Sequence, residues 1–197
     1  MVIGYHLILA ARGFWLPNDP RGSWSSYVWA KNLQRFGPAT KISTTRSVAG
    51  TKHDRRARLA AKDAMKYPAV QFTGLQAKAI IDGFDSLVNQ LKLTVHACSI
   101  LPDHVHLVLG RRRRDSEEIA EMLKRAGTRR LNKAGINPMA SFKQPNGRTP
   151  NPWAAGGWIV YIDSVRQMRH TIGYVELNPE KAGLRRQQWR FVTPFVE

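Results

Sequence analysis

A single cysteine, Cys98, stands in the 197-residue chain, so no internal disulfide forms and no thiolate cage for a metal exists. No apolar run approaches the ~18 residues that span a bilayer. The apolar opening at residues 4–11 contains His6, lacks a basic lead-in and runs straight into Arg12. That pattern suits a first strand rather than a signal peptide, and a cytoplasmic protein without membrane association is expected. Internal repeats and long low-complexity tracts are also missing, which excludes repeat architectures. Acidic residues are scarce: 14 Asp and Glu stand against 31 Lys and Arg, a net charge of +17. Such an imbalance bears on partners rather than fold, and the default partner is a polyanion, with nucleic acid ahead of an anionic membrane surface. What the chain has is enough apolar content, 43% with 9% aromatic, to bury the core of one domain.

Residues 3–12 (IGYHLILAAR) alternate as a strand. Residues 13–70 form a loop-rich basic insert with Trp15, Trp24 and Trp29 and a basic run at 52–66. Its length predicts some structure of its own. Thr73 is placed to cap a helix whose Ile80, Phe84, Leu87, Val88 and Leu91 share one face. LTVHACSIL to residue 101 and HVHLVLG (104–110) read as two strands of a hairpin around Pro102-Asp103. After four arginines, Asp115 and Glu118 form a capping-box pattern opening a helix with Ile119, Met122, Leu123 and Ala126 on its stripe. Residues 135–156 read as loop and 157–162 (GWIVYI) as a strand. Asp163 or Ser164 then caps a last helix over 163–178. Setting aside the insert and that last helix, the order is β-α-β-β-α-β, so the expected class is α+β with a ferredoxin-like antiparallel sheet.

The chemistry-bearing residues sit in the hairpin. Alternation sends Val105, Leu107 and Leu109 to one face and His104, His106 and Val108 to the other, with the two imidazoles about 7 Å apart along the strand. Two neutral imidazoles at i and i+2 converge on a divalent cation when a third ligand arrives from elsewhere; the same pair also reads as two half-exposed histidines with no special role. In the last helix, Val165, Met168, Ile172 and Val175 form the apolar stripe, and Tyr174 lies roughly 140° from its centre. Asn178 is one turn beyond Tyr174 and His170 one turn before it. An exposed aromatic on a helix is ordinary, so Tyr174 alone decides nothing.

Together the two segments carry a resemblance. HVH followed 70 residues later by YVELNPEKAGL resembles the single-tyrosine HUH transposases, in particular the REP-associated tyrosine transposases and related small bacterial insertion-sequence enzymes. The likeness covers most of residues 73–187 and the opening strand, and makes residues 1–197 a single domain of that type. It implies that His104, His106 and Asn178 hold Mg²⁺ or Mn²⁺ and that Tyr174 is the nucleophile that cuts single-stranded DNA. Phenols ionise near pH ~10, so a nearby cation is needed to favour phenolate and to neutralise charge developing at phosphorus. Attack would leave a 5′-phosphotyrosine link and a free 3′-OH, and the conserved bond energy makes this a strand transferase. The family also implies hairpin-forming DNA as substrate, and a monomer or homodimer as the working unit. One departure follows from Pro179: a residue before proline is disfavoured in the α conformation, which puts Asn178 at the helix end.

Cations expected on the DNA are Arg12, then Arg111, Arg112, Arg113 and Arg114 beside the cut, and Lys124, Arg125 and Arg129 on the next helix. Arg130 either extends that surface or lays its stem along the apolar stripe. Trp15, Trp24, Trp153 and Trp158 suit stacking on unpaired bases, with core packing the commoner fate of any one tryptophan. His53-Asp54 reads as an incidental pair, and His6, His96 and Cys98 as packed strand residues. The competing functions are a non-catalytic nucleic-acid binder derived from a transposase and a replication or transfer initiator using the same chemistry. An RNA-recognition sheet is disfavoured because its central strands carry stacking aromatics where this one has histidines.

Overall fold

A computed structural model describes residues 1–19, 27–28, 30–39 and 52–196. Four strands, β1 (Gly4–Ala10), β2 (Val95–Ile100), β3 (His104–Gly110) and β4 (Trp158–Ile162), form one sheet in the order β2-β3-β1-β4. Every neighbouring pair is antiparallel. The helices are α1 (Arg55–Asp63), α2 (Gly74–Leu91), α3 (Ser116–Lys133) and α4 (Val165–Lys181). The class is α+β, with the strand and helix order expected.

The insert has structure of its own. A 3₁₀ turn at Lys31–Phe36 packs on α1, tied by Asn32 donating to the Ala64 carbonyl at 2.7 Å. Asp54 caps α1 by accepting from the Ala57 amide at 2.9 Å, so the His53-Asp54 pair opens a helix. Trp24 and Trp29 lie outside the described residues.

The sheet separates two cores. On one face Leu7, Leu9, Val105, Leu107 and Leu109 meet Ile80, Phe84, Ile119 and Leu123 of α2 and α3. Trp153 is buried there, its indole N–H on Thr128 at 3.1 Å, in core packing rather than open to a base. The two helices approach closely: a Cβ at Gly83 would stand 2.6 Å from the Ala126 carbonyl oxygen. Thr73 and Gln76 cap α2 reciprocally. The pattern expected at α3 is only half realised, because Asp115 accepts from the Glu117 amide while Glu118 turns to Arg114.

On the other face α4 lies over β2 and β3, and Met168 and Val175 close a smaller core with Ala97, Val108 and Ile162. Ser164 is its cap. The helix does not stop at Asn178. It continues through Pro179 to Lys181 and closes with the Ala182 amide on the Asn178 carbonyl and the Leu184 amide on the Pro179 carbonyl. The local penalty ahead of proline is outweighed because Val175, Asn178 and Pro179 are all buried in that last turn.

The C-terminal segment covers the outer edge of β2. Gln187 both donates to and accepts from the Ile100 backbone at 2.8 Å, Thr193 donates its amide to Val95, and Arg190 pairs with Asp85 on α2. His96 serves this segment, with its ring against Phe195 and Nδ1 near the Thr193 carbonyl. Cys98 is a buried free thiol, its pKa raised by burial.

Candidate active site

The alternation of β3 is realised as expected. Val105 and Leu107 are fully buried on the α2/α3 face, while His104, His106 and Val108 face the α4 layer. Because β1 runs antiparallel beside β3, with His6 opposite Val108 and Ile8 opposite His106, His6 shares that face. It reaches diagonally to His106: His6 Nε2 and His106 Nδ1 are 2.9 Å apart, with the rings stacked at 5.0 Å and 27°. His104 stands across from His106 at 4.7 Å between centroids and 80° between planes. The Asp103 carboxylate holds His104 Nδ1 at 2.6 Å, and the Phe14 ring backs His104 at 4.8 Å.

Tyr174 comes down on this cluster from α4. Its ring meets His106 edge-on at 5.6 Å and 89°, and His6 at 6.1 Å and 70°. Even so, 39% of the tyrosine remains open to solvent. Lys181, two turns later on the same helix face, lies over the Tyr174 ring with Nζ 5.4 Å from its centre.

Burial sets the electrostatics. It lowers the His6 pKa to about 4, with repulsion from His104 adding to the effect. His106 is pushed well below the usual histidine value by burial first, then by His6 and His104. Both rings are therefore neutral at pH 7, the form in which an imidazole nitrogen has a lone pair to offer. His106 Nε2, the Asn178 side-chain amide nitrogen and Ser99 Oγ are buried without a hydrogen-bond partner. Ser99 pairs across from His106 on β2. Unmatched buried polar atoms are uncommon and point to something that completes them. Among the described residues no three or more His, Cys, Asp or Glu side chains are grouped so that they could hold a metal ion.

The expected DNA-contacting cations divide. Arg12 lies two residues beyond Ala10, the partner of His104, with its Nε on the Asn151 carbonyl at 2.7 Å and its guanidinium 5.6 Å from the Tyr67 ring centre. Trp15 and Trp158, 5.9 Å apart, line a neighbouring cavity of about 730 Å³ with Arg12 and Tyr67. Arg111, Arg112, Arg113 and Arg114 are not beside the histidines. They follow the opposite end of β3, roughly 20 Å from His104 at ~3.3 Å per residue, and line an open cleft of about 1060 Å³. Arg125 and Arg129 are exposed on α3, across the sheet from Tyr174. Lys124 is a correction. Only 2% exposed, its ammonium donates to the carbonyls of Ala154 (3.2 Å) and Gly156 (2.7 Å) and pairs with Glu121. It is a buried strut that ties the 154–156 turn to α3. Arg130 donates to Ser86 of α2 at 2.8 Å.

Sequence reasoning missed three contributors. In the sequence Asp103 reads as part of a turn and His6 as strand packing, and Lys181 lies in the tail of the YVELNPEKAGL segment. The order β4-β1-β3-β2 implied by the expected fold would have set His6 beside the histidine strand, and Lys181 falls at i+7 from Tyr174.

No protein-family model matches the chain, and no curated protein sequence is significantly similar to it. Among solved structures the chain is similar to a REP-associated tyrosine transposase bound to a REP hairpin, at 13% identity and a TM-score of 0.49, over 93% of this chain and 70% of that one. It is also similar to a candidate transposase from Deinococcus radiodurans R1, at 18% identity and a TM-score of 0.41, over 89% of this chain and 90% of that one.

Proposed function

We propose that the protein is a metal-dependent single-strand DNA endonuclease and strand transferase with Tyr174 as its nucleophile. The observation that carries this reading is the seating of a solvent-reachable phenol edge-on to the buried, neutral His106, 5.6 Å between ring centres. The resemblance of the HVH and YVELNPEKAGL segments to the HUH transposases supports it. So does the net charge of +17, which suits a phosphate backbone.

His104, His106 and the Asn178 side-chain oxygen would hold Mg²⁺ or Mn²⁺; the partnerless His106 Nε2 fits that role. Bound there, the ion supplies positive charge for the phosphoryl oxygens and favours phenolate over phenol. The chain's own groups do the rest. Asp103 accepts from His104 Nδ1 and orients that ring. Lys181 sets a positive charge against the Tyr174 ring. Tyr174 Oη attacks phosphorus and the bond to the 3′ oxygen breaks, leaving a 5′-phosphotyrosine and a 3′-OH. A second 3′-OH reverses the step and joins strands without ATP, because the ester retains the energy of the bond broken. The substrate is single-stranded or hairpin-forming DNA, with Arg12 the expected phosphate contact on the histidine side.

The test is covalent capture. Single-stranded oligonucleotides copied from the flanks of the gene are incubated with Mg²⁺ or Mn²⁺ and resolved on a denaturing gel. A metal-dependent adduct is expected, absent in Tyr174→Phe and in His104→Ala. DNA binding with no adduct for any flank or ion, unchanged in Tyr174→Phe, would instead favour a non-catalytic DNA-binding protein.

A further inference from the structure

His104 and His106 are each held at Nδ1, but by partners of different kinds. The Asp103 carboxylate only accepts, so His104 carries a proton on Nδ1, and in the neutral ring Nε2 is left as the lone pair. His106 faces another imidazole, His6 Nε2, at 2.9 Å, and either nitrogen could carry the shared proton. The far side of His106 decides between them. Its Nε2 is buried without a partner. Were the proton there, a buried N–H would be orphaned, the rarer and more costly kind of unmatched group. With the proton on Nδ1, the bond to His6 is made and Nε2 presents a lone pair, as it does in His104.

We infer that His6 is a positioning residue: its Nε2 accepts the His106 Nδ1 proton and so fixes His106 in the tautomer that aims the Nε2 lone pair into the site. The inference rests on the proposed role of His106 as a metal ligand. The two strand histidines then form a matched pair, one held by a carboxylate and one by an imidazole from the neighbouring strand. Ring stacking between His6 and His106 at 27° limits rotation of the His106 ring as well. A second group bonded to the non-ligating nitrogen is how metal-binding imidazoles are commonly oriented, and removing it typically weakens metal binding about 10–100-fold.

The first readout needs neither metal nor substrate. Long-range ¹H–¹⁵N NMR on the full chain labelled at histidine, at pH 7, distinguishes the two neutral tautomers. Wild type is expected to show His106 as the Nδ1–H form. An Nε2–H form there would overturn the inference. The second readout is Mn²⁺ affinity by EPR titration in wild type and His6→Phe, which keeps a ring in the stack but offers no acceptor. With the fold checked by circular dichroism, His6→Phe should lose the Nδ1–H preference and bind Mn²⁺ about 10–100-fold more weakly, while His6→Asn, which can still accept, recovers part of the loss. Wild-type tautomer and wild-type affinity in His6→Phe would refute the positioning role. Mn²⁺ affinity unaffected by His104→Ala would count against the metal reading alone, and the wild-type tautomer would still decide the claim about His6.

Discussion

The ammonium of Lys181 lies 5.4 Å from the centre of the Tyr174 ring, on the same face of α4 that carries the tyrosine toward the histidines. A cation over an aromatic face contributes about 0.5–1 kcal/mol where both are exposed, too little to hold a helix that Met168 and Val175 already anchor. In the proposed reaction the same charge would act on negative charge gathering at the phenol oxygen. Lys181→Ala is expected to slow strand cleavage several-fold, on the order of the same 0.5–1 kcal/mol, with thermal stability and Mn²⁺ affinity unchanged. Single-turnover cleavage beside a melting curve would check it; a melting temperature that falls along with the rate would mean Lys181 is structural.

Gly4 on β1 is where α4 sits down. A Cβ there would lie 2.4 Å from the Met168 methyl and 2.5 Å from the Leu109 carbonyl oxygen. The methyl can swing away, but the carbonyl belongs to the β3 ladder and cannot. Gly4→Ala should therefore destabilise the fold by about 1–3 kcal/mol through overpacking and lift the tyrosine helix from the histidines. Urea titration should register the loss, and cleavage should fall further than single-strand DNA binding does.

The residues that were legible in the sequence are those governed by local periodicity. The i, i+2 spacing of β3 sends His104 and His106 to one face whatever surrounds them, whereas Tyr174 lies well off the stripe of Met168 and Val175, so its contact with His106 depends on how α4 crosses the sheet. His6 is not legible from either strand alone, because its role depends on β1 lying beside β3, a pairing across 100 residues that only the order of the whole sheet supplies. The burial of Lys124 is illegible for a similar reason. On α3 it reads as a charge beside the stripe, and only the return of residues 154–156 buries it and supplies the carbonyls it needs. Asn178 shows the reverse: a sound local rule about proline ended the helix early, and burial of the last turn carried it on to Lys181.

Lys124 itself separates a structural cation from a DNA-binding one. Lys124→Met removes the ammonium while filling its space, leaving Glu121 half exposed and two carbonyls without their donor. A loss of about 2–3 kcal/mol in unfolding free energy is expected, in the range for unmatched buried polar groups. The salt dependence of single-strand DNA binding should not change. By contrast, Arg125→Ala or Arg12→Ala should each lessen the slope of log affinity against log salt by about 0.7 wherever the residue neutralises one phosphate.

Acid should unfold this protein through its buried histidines. The folded-state pKa of His6, about 4, lies below the ~6.5 of an unfolded histidine. Between those values the unfolded chain takes up a proton that the folded chain refuses, so stability falls as pH drops below ~6.5 and the loss levels off below about 4. From His6 alone the difference amounts to roughly 3 kcal/mol, and His106, shifted in the same direction, adds to it. Above pH ~7 neither group contributes any slope. Denaturant unfolding from pH 7.5 to 4.5, without added metal, should show this decline, and in His6→Phe the curve should be shallower because one of the two refused protons is gone. An equally steep decline in that variant would assign the acid sensitivity to His106 and the carboxylates instead.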